Sequence, residues 1–235
     1  MKKILSIILS GLCLFSALAA DDYYIGTGTS TQNKVPVYGY NNYGWSKFIY
    51  TGDELAAAGV SGTINITGIG FQVSNDISGY TMDSQVVYMR YAYNTTYGST
   101  DVSYPNTSVG GWQQVYSGSV AWNGPGWQQI ILANPFSYTY TEGQDWGIEI
   151  LWENRDGSKV GGPPSFYGRN VGYSCVYKSQ DTSFPTSSGT RGNYHPNIWL
   201  STPVTAVPPP AILPVPADLA TAVPVETNLS WSSGG

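Results

Sequence analysis

Charged side chains are scarce in this sequence. Asp, Glu, Lys and Arg make up 11% of its 235 residues, and there is a single histidine. Most catalytic chemistries and all zinc sites of the His/Cys type need several such groups together, so we expect no cofactor and no metal. Acidic residues outnumber basic ones by 15 to 10. Because nucleic acids and anionic membranes attract clustered Lys and Arg, neither is expected as a partner.

Cysteine is equally rare, since Cys13 and Cys175 are the only two in the chain. Cys13 falls in a segment that we expect to be removed. One remaining thiol cannot form an internal disulfide, so the fold must be held by its hydrophobic core and its strand ladders.

The first residues carry the pattern of an export signal. Lys2 and Lys3 precede an apolar stretch at residues 4–18, which is too short for a membrane span, and small residues allow cleavage after Ala19. We therefore expect residues 1–19 to be a signal peptide and the protein to be extracellular or on the cell surface. Removing the two lysines takes the formal net charge from −5 to −7.

What is abundant after the signal is Tyr, Trp, Gly, Ser and Thr. Short apolar runs alternate with Gly, Asn, Ser and Pro clusters, which predicts an all-β fold, an antiparallel, jelly-roll-like β-sandwich, over residues 20–202. Very little helix is expected, with one short turn at residues 53–58. Prolines then predict a linker at 203–215, and alternation resumes at 216–235, as if a second domain began there and were cut short.

Side-chain parity separates a core face from an outer face in the strand at residues 145–152. Glu149 and Glu153 share the face that we expect to be solvated. We assign to the core the inward residues of this strand and two tryptophans elsewhere in the chain. They are Trp146, Ile148, Ile150 and Trp152 in the strand, and Trp112 and Trp127 outside it. A parity change at Gly68 predicts a β-bulge, and Asp156-Gly157 predicts a hairpin turn after the strand.

Six short segments, in this order and spacing, resemble a recurrent β-sandwich module of large secreted proteins of Gram-negative anaerobes. They are Tyr24 to Thr29, Ile49-Tyr50 with Glu54-Leu55, Ile64 to Phe71, Gln114 to Gly118, Gly126-Trp127 to Pro135-Phe136, and Pro196 to Ile198. The stretch from Pro216 to Trp231 is similar to the opening strands of immunoglobulin-like or fibronectin type III repeats. The resemblance implies neighbouring modules and a place outside the cell. It assigns no catalytic or binding residue.

Candidate catalytic groups are few. Cys175 and His195 satisfy a nucleophile-and-base pair by type, but we interpret Cys175 as an inert, buried hydrophobe and His195 as a surface residue. Glu149 and Glu153 are the nearest candidates for a glycosidase carboxylate pair, and a solvated face is the preferred interpretation for them.

A calcium site is the remaining metal alternative. Asn154 and Asp156 could supply oxygen ligands, but no spaced series of carboxylates accompanies them. The predicted turn explains both residues sufficiently.

Aromatic side chains are the remaining class that could bind a ligand, because their faces suit sugar rings and protein partners. The densest aromatic group outside a predicted strand is the loop at residues 38–45, and strand parity directs one further tryptophan outward, toward a ligand or toward the domain after the linker. The candidate residues are Tyr38, Tyr40, Tyr43, Trp45 and Trp199.

These features leave three functions open. The first is a non-catalytic module of a secreted or cell-surface multidomain protein, with an adhesive, structural or ligand-binding role. The second is a carbohydrate-binding module attached to an extracellular hydrolase, and the third is an accessory domain of a secreted peptidase. The expected partners are a glycan or a surface protein, together with downstream domains of the same chain.

Overall fold

The computed structural model of the protein describes residues 21–158 and 161–203, together with the backbone of two short paired strands at 214–215 and 230–231. Residues 21–203 form one compact unit. The predicted signal peptide lies outside the described residues, as does nearly all of the predicted linker and second domain, so those predictions stand as predictions.

The chain is built almost entirely from antiparallel strands, which confirms the predicted all-β sandwich. In chain order the elements are β1 (Asp22–Ile25), β2 (Ser30–Gln32), β3 (Tyr43–Tyr50), α1 (Gly52–Ala57), β4 (Thr63–Ala92), β5 (Gln113–Thr139), β6 (Gly147–Asn154), β7 (Phe166–Gln180), β8 (Thr190–Pro196), β9 (Ile198–Ser201), β10 (Pro214–Val215) and β11 (Ser230–Trp231). No helix in the described part of the chain is long and apolar enough to cross a bilayer.

Strands β4 and β5 fold the hydrogen-bonded sheet into two layers. They pair with each other along 30 and 27 residues, with several register shifts near the middle. The first part of β4 pairs with β9, which pairs with β1. The last part of β4 pairs with β6, which continues to β3 and β7. One bent strand therefore belongs to both layers, because bulges turn it without ending its ladder.

Aromatic rings from both layers meet in the core. Phe71 on the first part of β4 lies 5.9 Å from the rings of Phe48 on β3 and Trp152 on β6, and 6.4 Å from Phe166 on β7. Phe71 is fully buried. These contacts hold the two layers against each other.

The one helix among the described residues begins at Gly52, one residue before the predicted turn, and is fixed by its first turn. Thr51 accepts a hydrogen bond from the backbone N–H of Glu54, and the Glu54 carboxylate accepts one from the N–H of Thr51. This reciprocal capping box satisfies two donors that a helix end leaves free. It also fixes the Glu54 carboxylate against the sheet.

Two details of the predicted strands are corrected. Trp146 is 40% exposed rather than buried. It lies one residue before β6, which begins at Gly147, and its indole packs on the exposed ring of Tyr93. The turn at Asp156-Gly157 does not make a hairpin, since the next strand, β7, pairs with β3 rather than with β6. The bulge at Gly68 is confirmed by a register shift between Ile66 and Gly68.

Candidate functional site

Three aromatic side chains lie side by side on the outer face of the first layer. Tyr24 on β1 and Trp199 on β9 are cross-strand partners, and their rings stack 5.7 Å apart at 13°. Trp199 extends across Gly70 of β4, where a β-carbon would come within 2.9 Å of the indole. Glycine at this position therefore allows the indole to lie flat on the sheet. Trp127 on β5 completes the group, edge-on to Tyr24 at 5.2 Å.

A groove of about 590 Å³ runs beside these rings. Its lining combines the aromatic rings of Tyr24, Trp127 and Tyr167 with Gln72 and the loop at residues 26–29. Gly28 allows this loop to approach β7, because a β-carbon there would lie 2.1 Å from the carbonyl oxygen of Gly168. The volume falls within the range of ordinary ligand-binding clefts. Tyr24 presents about half of its surface to solvent.

Asn197 supports two of the residues that line the groove, Gly28 and Gln72. Its amide oxygen accepts from the N–H of Gly28, and its amide nitrogen donates to the carbonyl oxygen of Gly28 and to Oε1 of Gln72, all at 2.9 Å. Asn197 is buried, so the loop and Gln72 are held from beneath. Within the described residues the amide nitrogen of Gln72 has no hydrogen-bond acceptor, which leaves its donors for a ligand.

The groove carries no charged side chain on its described walls, which are formed by Tyr, Trp, Gly, Thr and Gln. The Asp22 carboxylate accepts from Nε1 of Trp199 at 2.9 Å and does not line the groove. A neutral ligand with hydroxyl groups and apolar ring faces fits such walls, whereas a polyanion finds no counter-charge there.

The predicted aromatic loop does not form a single surface. Trp45 belongs to β3 and is 3% exposed, packed 5.7 Å from Tyr104, so its placement in an accessible loop is wrong. Tyr43 begins the same strand and is half-buried, while Tyr38 and Tyr40 pack on each other at 5.6 Å. Tyr40 is exposed, but none of the four lines the groove.

Trp199 is the one sequence candidate beside the groove. It is half-buried between two fully buried neighbours, Ile198 and Leu200, which is the orientation that strand parity predicts. Tyr24 was not a candidate, and Trp127 was assigned to the core, although it is only half-buried. Their positions opposite Trp199 and Gln72 are set by the sheet register, which the sequence alone does not give.

The outer face of the second layer is covered, which corrects the prediction for Glu149. Its carboxylate is 2% exposed rather than solvated, because residues 93–112 lie over this face. Arg90, directly opposite on β4, contacts it through Nε and Nη2 at 2.6 and 2.5 Å, and the Tyr97 hydroxyl donates to it at 2.7 Å. Burial, with Glu149, raises the pKa of Tyr97 well above its ordinary value, so this hydroxyl keeps its proton.

Glu153 is also buried, rather than solvated, and is bound separately. It accepts from the Tyr104 hydroxyl and from Nε of Arg155 at 2.6 Å. Four residues of strand place the Cα atoms of Glu149 and Glu153 roughly 13 Å apart. Glycosidase carboxyl groups lie about 5–10 Å apart across one cleft, so these two acids, each held by its own partners, are unsuited to that chemistry.

Cys175 and His195 do not form a catalytic pair. Cys175 is fully buried, and burial raises the pKa of its thiol to about 11, which keeps the thiolate unpopulated near neutral pH. On β8 the thiol contacts the backbone of Gly192 and Tyr194, whereas the His195 ring is bound to the carbonyl oxygen of Ile49 and faces Glu54. The two groups that a dyad needs are therefore engaged with different partners.

His195 is 1% exposed, which corrects its predicted surface position. Its Nε2 lies 2.8 Å from the carbonyl oxygen of Ile49, so Nε2 carries the proton and donates. Nδ1 lies 3.5 Å from the Glu54 carboxylate, which also binds Arg169. Burial lowers the pKa of His195, with Glu54 opposing this and Arg169 adding to it.

We expect the stability of the fold to depend on His195 below neutral pH. Its pKa in the folded protein is lower than its ordinary value of 6.5, so the unfolded chain binds the proton more readily. The stability that comes from keeping His195 neutral is fully present above about pH 6.5. It is lost as the pH falls below that value toward the lower pKa of the folded state. Urea unfolding at pH 7.5 and 5.5 should show a larger loss for the wild type than for His195→Gln, whose amide keeps a donor for Ile49. Equal losses would contradict the assignment.

The residues once considered for calcium serve a structural purpose. The amide nitrogen of Asn154 lies 3.2 Å from the carbonyl oxygen of Asn41 and 3.4 Å from that of Tyr38, and its amide oxygen accepts from Gln85 at 2.8 Å. The Asp156 carboxylate accepts from the N–H of Asp83. No group of three or more His, Cys, Asp or Glu side chains suited to a metal ion occurs in the described part of the chain.

Comparison with known proteins adds no relative. No protein-family model matches this chain, and no curated protein matches it. The groove and the covered face are therefore interpreted from their own geometry.

Proposed function

We propose that this chain is an exported, non-catalytic binding module and that the groove beside Tyr24, Trp127 and Trp199 binds a neutral glycan. The observation that carries the proposal is the groove itself, whose described walls combine aromatic rings with polar groups and hold no charged residue. This combination matches the two chemical faces of a sugar ring.

Aromatic rings at an open groove favour a sugar over a compact apolar ligand. The C–H face of a pyranose packs on an aromatic ring, while its hydroxyl groups stay hydrated or form hydrogen bonds. Tyr24 offers an exposed ring whose position is fixed by Trp199 behind it and Trp127 at its edge. A ring already held in place loses little conformational freedom on binding, which favours affinity.

Polar groups that line the same groove as the aromatic rings favour a hydroxylated ligand. Gln72 presents amide donors from a position that Asn197 fixes, and the hydroxyl groups of Thr27 and Thr29 are exposed at the same groove. Such groups can donate to and accept from sugar hydroxyls in several orientations. The absence of Lys and Arg from these walls argues against a uronic or sulfated polymer at this place.

The setting of the module is proposed from the sequence. The signal-like N-terminus and the resemblance to sandwich modules of secreted anaerobe proteins support an extracellular or cell-surface location beside other domains. The non-catalytic character is supported by the buried, separately paired state of Glu149 and Glu153 and by the inert surroundings of Cys175 and His195. Attachment to a hydrolase or a peptidase remains the alternative setting for the same module.

A panel of neutral polysaccharides tests the proposal with a matched pair of tyrosines. Tyr24 and Tyr40 are 49% and 46% exposed, but only Tyr24 lines the groove. For a glycan identified on an array of glucans, xylans, mannans and galactans, calorimetry should show that Tyr24→Ala or Trp127→Ala weakens binding by about tenfold or more. Tyr40→Ala should leave the affinity unchanged.

Three outcomes would overturn the proposal: no binding to any neutral glycan by the full chain, an equal loss on Tyr40→Ala, or binding that survives both groove substitutions. A melting curve of each variant separates loss of the ring from loss of the fold. Tyr24 is on a short strand at the sheet edge, so its replacement should leave the core intact.

A further inference from the structure

A second cavity lies between the outer face of the second layer and the segment that covers it. Its volume is about 230 Å³, larger than the roughly 150 Å³ that accommodates a benzene ring. Strands β3, β4 and β6 form the floor through Lys47, Arg90 and Glu149, and residues 93–105 form the remaining walls. Tyr93 stands at the rim, 69% exposed and edge-on to Trp146.

Lys47 is the unusual group in this cavity. The residue is 6% exposed, and no hydrogen bond or ion pair at contact distance joins its ammonium group to another described residue. Nζ is not among the fully buried unpaired atoms, so it opens into the cavity. Nζ lies over the face of the Tyr97 ring, 4.8 Å from the ring centroid. A buried ammonium ordinarily keeps its charge only when it is paired. Burial lowers the pKa of Lys47, against an opposing effect of Glu149.

The other charges of the floor are already matched. Arg90 and Glu149 bind each other through two contacts, and Glu149 receives the Tyr97 hydroxyl as well. Asp101 on the covering segment accepts from the backbone N–H of Gly98 at 2.8 Å and is only half-buried. Lys47 is therefore the charged group on the floor whose ammonium makes no ion pair at contact distance among the described residues, although Glu149 and Asp101 both favour its charged form.

We propose that this cavity binds a small ligand group that carries a single carboxylate, with the carboxylate on Lys47. The ammonium offers three donors and a counter-charge in surroundings that exclude most water, where such a pair is stronger than at the surface. The aromatic rim at Tyr93 accommodates the body of the ligand. Asp101 repels a second negative group, which limits the ligand to one carboxylate.

Two sources can supply this chemistry, and the experiment separates them. One arm uses a methyl glucuronoside, an acidic sugar, and the other uses N-acetylalanine, which imitates a peptide C-terminus. Each is compared with its own neutral carboxamide, so that only the charged oxygen differs and no change in the protein is needed. Binding to the wild-type full chain is followed by two-dimensional amide NMR at pH 7.

We expect one of the two acids to shift the amide signals of residues 90–105 and of Lys47, and its carboxamide to bind about tenfold more weakly or worse. Lys47→Met keeps the length and apolar stem of the side chain and should remove binding of the acid. The arm that binds identifies the source of the carboxylate.

The proposal is overturned if neither acid binds at millimolar concentration, if the carboxamides bind equally well, or if a folded Lys47→Met variant retains the affinity of the wild type. The carboxamide comparison decides the question even where Lys47→Met does not fold. The cavity and the neutral groove share no lining residue, so Tyr24→Ala should leave the acid bound. Failure of one proposal is thus distinguishable from failure of the other.

Discussion

Replacing Phe71 with alanine is expected to lower the free energy of unfolding by about 3–5 kcal/mol, the range measured for large aromatic truncations in well-packed cores. The ring is fully buried and contacts Phe48, Trp152 and Phe166, which belong to three other strands. Its loss leaves a cavity between the two layers that rigid ladders on both sides cannot close. Urea denaturation followed by tryptophan fluorescence measures the change.

A substitution of the same kind on the same pair of strands serves as the control. Ile131 on β5 is 65% exposed and lies opposite Gly68 in the ladder. Ile131→Ala should therefore change the free energy of unfolding by less than about 0.5 kcal/mol. Comparable losses for the two variants would show that Phe71 does not join the layers. Phe71→Leu, which keeps most of the volume, should fall between them.

Strand parity predicted much of the core of β6, because that strand alternates cleanly and its inner face is buried along its length. Ile148, Ile150 and Trp152 are all buried, as expected. Trp146 failed the same rule because parity carries no information on where a strand ends. One residue outside the ladder, its indole is free to turn toward Tyr93.

The continuity of β4 was not predictable from periodicity. Residues 64–73 and 86–93 each alternate like separate strands, and the polar stretch between them resembles a loop. In the structure this stretch stays hydrogen-bonded to β5, with shifts between Val73, Ile77 and Tyr80. Tyr80 and Met82 within this stretch are buried in the core, so the alternation resumes after the shifts, and the bulges conceal it from a period-2 interpretation of the sequence.

The sites were harder to predict than the fold, for two physical reasons. An aromatic residue in a core and one beside a groove have the same side-chain chemistry, so Trp127 was assigned to the core and Trp45 to a loop. The second reason is that the sequence does not show which faces of the sheet are covered by other segments. Parity placed Glu149 on the outer face correctly, but only the tertiary path of residues 93–112 decides that this face is closed.

Closing that face makes the Arg90–Glu149 pair a large contributor to stability. We expect Arg90→Met to cost about 3–5 kcal/mol, the loss typical of a buried pair that is broken by removing one partner. Glu149 is 2% exposed and keeps the Tyr97 hydroxyl as its hydrogen-bond donor when Arg90 is lost, whereas the Arg90 side chain is 32% exposed. Removing the arginine therefore leaves the more costly group behind, although methionine keeps an apolar stem over Trp112, on which the guanidinium lies at 4.4 Å.

Arg90→Met alone leaves the Glu149 carboxylate without its arginine, with only the Tyr97 hydroxyl bound to it. The triple variant Arg90→Met, Glu149→Leu and Tyr97→Phe removes this carboxylate and this hydroxyl as well. We expect it to be more stable than the single variant, because apolar groups of similar volume avoid the cost of desolvating a carboxylate. Urea unfolding of both proteins with the wild type measures the difference. If the triple variant is no more stable than Arg90→Met, the single-variant loss comes from packing on Trp112 and not from an unpaired Glu149. A triple variant that is more stable than Arg90→Met would instead mean that Arg90 and Glu149 contribute largely by neutralising each other. Lys47 is then the charged group on the floor of the cavity that makes no ion pair at contact distance among the described residues.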